Sequence, residues 1–436
     1  MFSGPRIVNK WLPVIILPLI LLIAAGAFAW LQKDFRSSVK DALPEIIDYN
    51  YHIRPILSDR CYKCHGPDAS KRQAGLRLDT ESGAYAALKD NPAAHVIVPE
   101  DPLHSELWLR ISSQDTSYLM PPPSSNLKLN QREIRMLEKW IRQGAKYKKH
   151  WAFILPQRPP IPEVENSSWP VNPIDNFVFN AMQKQGLEPN AQADKERLLR
   201  RVCFDLTGLP PDFGLQGRFL ADQSPGAYEK IVDELLASPQ YGEKMAVNWL
   251  DIARYADSHG YQDDGLRTMW PWRDWVIHAF NKNYSYKDFV QWQVAGDLIP
   301  GATLEQQLAS GFNRNHKITQ EGGVIDEEYR IEYVTDRTNT FAKTFLALTF
   351  ECAKCHDHKY DPIRQKDYYS TFAFFNQVAE KGYQGDINLA SLGDPPNIKI
   401  TSREVDSVLS FINKKDTASV TVMVMRDSSH TREPGS

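Results

Sequence analysis

Two short stretches carry residues whose types and spacing suit redox or metal chemistry. They read "RCYKCHGPD" (Arg60 to Asp68) and "ECAKCHDHKYDP" (Glu351 to Pro362). Each sets two cysteines three positions apart with a histidine directly after the second: Cys61, Cys64 and His65, then Cys352, Cys355 and His356. A zinc site pairs CxxC units about 12–20 residues apart or joins one to a nearby His pair. Here Cys64 and Cys352 lie 288 positions apart. A redox dithiol does not need the histidine. CxxCH is the attachment motif of c-type haem. Two thiols on one turn reach the two vinyl groups along one porphyrin edge, and the imidazole on the same turn reaches the iron. The repeat predicts two covalently attached haem c groups, with zinc or a structural disulfide as the competing readings.

A haem iron held by one imidazole takes a second axial ligand. Met120 stands in "YLMPPPSSN", where three prolines fix φ and stiffen the loop. It is the candidate for the first haem, against a plain packing role for the sulfur. Thioether ligation raises the potential relative to two imidazoles. The second region offers no methionine in a comparable loop. Its candidate distal neighbour is His316, in the glycine-flanked "FNRNHKITQEGG", for which a polar, substrate-facing or structural role stays open. His278, in a Trp-rich stretch, reads as packing. His358 is too near His356 to cross the porphyrin and is expected to bond a propionate or the backbone. The carboxylates Glu321, Asp326, Glu327, Glu328 and Glu332, with Arg330 and Arg337, read as a charged helix start more readily than as a catalytic set. Cys203 reads as a small buried residue.

These residues need elements to position them. The chain has 436 residues, 42% of them hydrophobic, enough for two or three cored domains. A net charge of −3 argues against a broad nucleic-acid surface. After Met120 the spacing predicts a helix capped by Asn130 and Glu133, with Ile134, Leu137 and Ile141 on one face, Met136 in the core and Gly144 as terminator. Residues 154–173 are proline-rich and read as an extended linker. Helical spacing then runs through 227–238 and 245–257. In a long signal from Ile331 through Val334, Thr338, Phe341 and Phe345 to Leu348, it predicts one helix delivering its C-terminus to Cys352. Val420, Val422 and Val424 alternate with other residues, a strand signature. At the other end, Arg6 and Lys10 precede the uncharged 21-residue run Trp11–Leu31. That run reads as a membrane anchor or, with "AFA" at Ala27–Ala29, as a cleaved signal peptide. Both place the rest outside the cytoplasm, and a buried soluble helix is the remaining reading.

"IRPILSDRCYKCHGPD", "GLRLDTESG", "VPEDPLHSELWLRI", "MPPP" and "WIRQGAKYKKHWAF" resemble the planctomycete cytochrome c domain over about 53–153. The resemblance implies covalent haem at Cys61 and Cys64, with His65 proximal and Met120 distal. "LRRVCFDLTGLPP", "NWLDIARYADSHGYQDD", "WPWRDWVIHAFN", "GFNRNHKITQEGG" and the segment after Cys352 are similar to the domain of unknown function that follows that cytochrome in planctomycete-type proteins, over about 173–400. That family commonly has Ser where Cys203 stands. Its association with sulfatases and polysaccharide breakdown implies a substrate derived from polysaccharide, without naming a reaction. In the family a further large domain follows, of which 401–436 would be the start.

The expected architecture is mainly α. An N-terminal transmembrane or signal helix (1–35) precedes a small helical cytochrome c domain (44–150) and the linker (154–173). A larger helical domain with the second CxxCH (174–400) and a short terminal strand complete it. The function expected is an exported two-haem cytochrome at the cell membrane, facing the periplasm, or secreted there after signal cleavage. It would exchange electrons with a periplasmic redox partner and bind no nucleic acid. A catalytic second haem and a glycan-binding module with structural haem are the alternatives.

Overall fold

The computed structural model describes residues 43–164, 168–383, 385, 392–412 and 419–428. The run Trp11–Leu31 predicted to anchor or direct the chain lies outside the described residues, and among those residues no helix is long and apolar enough to cross a membrane. The chain divides into two compact units, one holding residues up to Ile154 together with Asp357–Pro362, the other 155–356 with the rest. The division falls at the start of the proline-rich stretch, whose described residues 154–164 and 168–171 form no regular element.

Among its described residues the first unit contains five α-helices: α1 (Arg54–Arg60), α2 (Tyr62–His65), α3 (Glu81–Ala84), α4 (Glu106–Ser112) and α5 (Gln131–Arg142). Helix α5 forms as its sequence predicts. The Asn130 side chain accepts from Glu133 N while Glu133 reaches back to Asn130 N, closing a capping box. Gly144 ends the helix at φ +93°, a region glycine enters without steric cost. Its buried face, Met136, Leu137, Trp140 and Ile141, packs with Ile53, Leu57, Leu78 and Leu107. Tyr49, Trp140 and Tyr147 close the core with ring centroids 4.6–5.9 Å apart. Residues 357–362 pack with this unit, where Arg54 Nη2 donates to Tyr360 O (2.6 Å) and His150 Nε2 lies 3.0 Å from Asp361 Oδ1.

The second unit is larger. Its helices are α6 (Pro173–Lys184), α7 (Lys195–Thr207), α8 (Phe213–Ala221), α9 (Ala227–Leu236), α10 (Pro239–Ile252), α11 (Trp270–Asn281), α12 (Tyr286–Ala295), α13 (Leu304–Ala309), α14 (Asp326–Phe341), α15 (Gln365–Phe375) and α16 (Ser402–Ser407). A small core joins α7, α8 and α9 through Leu199, Cys203, Leu215, Phe219, Ile231 and Leu235. Cys203 is buried there. The main core gathers Trp272, Trp275, Leu308, Phe312 and Ile318. Strands β1 (Asn397–Thr401) and β2 (Ser419–Met423) pair antiparallel with Ile398 opposite Val422, and Ile400, Val420 and Val422 enter this same core. The predicted terminal strand thus packs within the second unit.

Two helices stop earlier than the periodicity implies. Helix α10 ends at Ile252 because Arg254 turns left-handed (φ +59°), with Tyr255 N bonding back to Leu250 O (3.0 Å). The predicted long helix also breaks before Cys352. Helix α14 ends at Phe341, passes through one wider turn (Ala342–Leu346), and Ala347 turns left-handed at φ +53°. The break lets Leu348 and Phe350 turn inward and become buried, a burial that a straight helix with one apolar stripe would not give to both.

Candidate functional site

The first motif is built on a tight turn. Helix α1 passes its last bond to Cys61 N from Leu57 O (2.8 Å), and Cys64 N and His65 N both bond Cys61 O, at 3.1 and 2.9 Å. The turn brings the two thiols and the imidazole to one end of the helix pair. Gly66 follows because a Cβ there would come within 2.4 Å of Tyr62 O. The chain is then tied back, with Gln73 N on Cys64 O (2.7 Å) and Leu78 N on His65 O (2.8 Å). Further along, Met120 N bonds Arg110 O (3.2 Å) just beyond α4.

Cys61, Cys64, His65 and Met120 line one cavity of about 730 Å³, with Leu76, Leu78, Leu107, Ile111 and Leu127 among its walls. That volume lies in the range that holds a large organic ligand. Burial pushes the Cys61 thiol up to about 12, with Cys64 adding to it. Burial holds His65 below its ordinary value, with Arg110 adding to the effect against the main chain at Gln73. The neutral imidazole is the ligand form. Its Nδ1 is closed off from solvent and makes no hydrogen bond among the described residues. The donor set, the apolar walls and the basic Arg60, Arg77, Lys89 and Arg110 of the lining fit a porphyrin with acidic side groups. Arg77 and Arg110 were not singled out by spacing. Arg77 pairs with Asp79 and Arg110 with Glu106.

The second motif repeats the turn in a looser form. Cys355 N and His356 N both bond Cys352 O, each at 3.4 Å, after a single 3₁₀ turn, Glu351–Lys354. Cys352, Cys355 and His356 are exposed. Lys354 ties the turn to α15, its carbonyl accepting from Gln365 Nε2 (3.2 Å) and Tyr369 Oη (3.1 Å). His358 bonds the backbone as expected, its Nδ1 accepting from Tyr360 N (3.1 Å) and Asp361 N (2.9 Å).

His316, predicted as the distal neighbour of this motif, has both ring nitrogens engaged within the second unit. It is buried, its ring stacked on Tyr333 with centroids 4.6 Å apart. Its Nδ1 lies 2.8 Å from Lys317 O and its Nε2 2.8 Å from Arg337 Nη2. Those bonds fix a neutral tautomer with Nδ1 donating and Nε2 accepting, and leave neither nitrogen for a metal. Burial first, then Arg337, pushes its pKa down to about 4. Around it Glu380 pairs with Arg314 (2.6 Å) and with Arg337. Burial alone would raise the Glu380 carboxyl, but Arg337 and Arg314 hold it well below the usual carboxylate range. Sequence spacing put Arg337 on a charged helix surface. The structure buries it, and no local pattern signals its partner Glu380, 43 positions on. Of the acids expected at the charged helix start, Glu327 pairs with Arg330 and Glu321 accepts from Gln262 N (2.9 Å). His278 stacks on Phe411 at 4.3 Å, as packing.

Two families match the chain in the expected order. Residues 61–124 match planctomycete cytochrome C, and residues 173–380 match a family described as protein of unknown function (DUF1549). No curated protein and no solved structure matches the chain.

Proposed function

We propose that this chain, with a planctomycete cytochrome C domain followed by a DUF1549 domain, works as an exported electron-transfer protein carrying two covalent haem c groups. The cytochrome match implies covalent haem c at the first motif. Cys61 and Cys64 would hold it by thioether bonds, and His65 and Met120 would bind its iron. The bound haem supplies reversible one-electron chemistry. The chain's own residues do the rest. The walls at Leu78, Leu107 and Ile111 would keep water from the ring, and the arginines of the lining would offset acidic side groups. The turn on Cys61 O fixes the imidazole next to the thiols. The observation that carries this reading is that the Cys61, Cys64 and His65 turn and Met120, from a segment 55 positions on, line one cavity of suitable size.

For a second haem at Cys352, Cys355 and His356 the support is the repeated motif and the same carbonyl-centred turn. Its distal ligand would come from a group other than His316. Export follows from the chemistry, because haem attachment takes place outside the cytoplasmic membrane. The uncharged run Trp11–Leu31 would direct or anchor the chain, at the cell membrane facing the periplasm, with a periplasmic redox protein as partner. A role beside polysaccharide breakdown rests on the family association alone.

Intact mass and haem staining of protein expressed with a haem-attachment system test the reading. Two haem increments are expected. One increment confines haem to a single motif, and zinc without haem overturns the proposal.

A further inference from the structure

The second unit holds a cavity that the haem reading does not use. It has a volume of about 370 Å³ and lies where α10 ends, lined by Arg254, His259, Arg267, Asn315, Lys317 and Asp336. Three basic residues and one carboxylate thus line it, Lys317 Nζ lying over the Tyr261 ring at 4.8 Å. Buried polar groups are normally satisfied, and several here are not. His259 is fully buried, and neither ring nitrogen makes a hydrogen bond among the described residues. The three guanidinium nitrogens of Arg254 are closed to solvent without a hydrogen bond, their ion pair with Asp336 being 3.3 Å long. Arg267 is spent on main-chain carbonyls, of Ala256 (3.1 Å), His316 (2.6 Å) and Asn315 (3.2 Å), so its charge is held in place without a carboxylate bond. Arg254 occupies the left-handed position after a helix, where glycine is favoured. An arginine there carries a backbone cost that its side chain or the helix C-terminal dipole offsets. The dipole does not explain the unbonded His259.

We infer that this cavity binds an oxyanion, a carboxylate, sulfate or phosphate group, received by Arg254 and Lys317 with His259 at its inner wall. Charge-assisted hydrogen bonds from guanidinium to such a group are short and bidentate, and they would satisfy the nitrogens that the fold leaves unbonded. Asn315 Oδ1 is also unbonded. Its amide nitrogen is turned to Gly311 O and Phe312 O (3.4 Å each), so the oxygen presents an acceptor. The preferred ligand is therefore an acid that also carries a hydroxyl. Asp336 is the group such a ligand competes with for Arg254.

The inference stands apart from the haem assignment, and its test leaves the haem motifs intact. Full-length haem-loaded protein is titrated calorimetrically with inorganic phosphate, inorganic sulfate, acetate and glycolate, at an ionic strength held constant with chloride. One saturable site is expected for at least one oxyanion, the phosphate and sulfate arms against the carboxylate arms identifying the group, and glycolate is expected to bind tighter than acetate. Arg254→Gln should weaken binding about tenfold or more with the haem spectrum unchanged. Where Arg254→Gln does not fold, two rim variants decide. Lys317→Gln should weaken binding several-fold, and Asp336→Asn should tighten it by releasing Arg254. Heats that never saturate, or saturable binding that Lys317→Gln and Asp336→Asn both leave unchanged, overturn the inference and mark the cavity as a water pocket.

Discussion

The same backbone turn appears in two places in this chain and is used differently. In both CxxCH motifs the second cysteine and the histidine bond the carbonyl of the first cysteine, at 3.1 and 2.9 Å in one and 3.4 Å in the other. Around the first, the unit spares a cavity of about 730 Å³, walls it with aliphatic side chains and brings a methionine to it. The second unit buries a charged cluster beside its apolar core. Arg314, Arg337, His316 and Glu380 are each buried in it, while Cys352 and Cys355 stay exposed. A buried ionic cluster fixes one arrangement at a cost in desolvation, whereas an aliphatic cavity lowers the cost of ordering a large apolar ligand. The comparison teaches that CxxCH specifies a turn, and that the surroundings decide what the turn is worth.

The widest separation between the two regions should come from removing thiols. Cys61→Ala/Cys64→Ala is expected to lose the first haem completely and to lower the melting temperature of the first unit, since its cavity then stands without the group that fills it. Cys352→Ala/Cys355→Ala should remove one haem increment by mass yet keep the absorption of a methionine-ligated iron. The contrast breaks if the second double variant loses that absorption and the first retains it. Next, Met120→Ala should abolish the methionine–iron charge-transfer band and lower the potential of that haem, because the thioether favours the reduced state. An unchanged spectrum would assign the sulfur to packing.

Glu380→Gln probes the other side of the comparison. It leaves Arg314 and Arg337 buried with their shared carboxylate gone. Breaking a buried pair by removing one partner costs about 3–5 kcal/mol, and denaturant unfolding of the second unit should show it while the first haem's spectrum stays as in the parent. A loss below about 1 kcal/mol would mean that the cluster is solvated in solution.

How much of this was legible in the residues follows the range of the interactions. The closing helix of the first unit is readable to its caps, because Asn130 and Glu133 act within one turn of each other at its start and Gly144 acts within two residues of its end. That Cys61, Cys64, His65 and Met120 share one cavity accords with a local CxxCH motif and a methionine flagged by its prolines. The long helix before Cys352 was over-read, since its apolar spacing continues past Ala347, where the backbone turns so that Leu348 and Phe350 can both be buried. His316 stayed ambiguous because its partners, Arg337 and Glu380, are 21 and 64 positions away. Nothing near "FNRNH" tells a ligand from a buried acceptor. The same limit hid the cavity at Arg254, which in sequence is one more residue of a helix.

The smallest expected effect concerns the edge of the ionic cluster and has a defined sign. Asp394 is buried, its Oδ2 makes no hydrogen bond among the described residues, and Arg314 donates to the main chain beside it at Pro395 O (3.2 Å). Burial raises its pKa to about 6 from an ordinary 3.8, against the opposing charges of Arg314 and Arg267. The folded protein therefore holds this proton more tightly than the unfolded chain does. The linked stability is fully present below about pH 4 and is lost as pH rises through about 6. A shift of this size corresponds to about 1–3 kcal/mol. Asp394→Asn removes the ionisation and keeps the shape. Its unfolding free energy should match the parent near pH 4 and exceed it by that amount at pH 7, the difference opening between those values. Using the difference between the two proteins cancels every other titrating group. Parallel curves from pH 4 to 7 would place the Asp394 carboxylate in contact with water or bonded to a cation, and would extend the charged interior of the second unit by one paired acid.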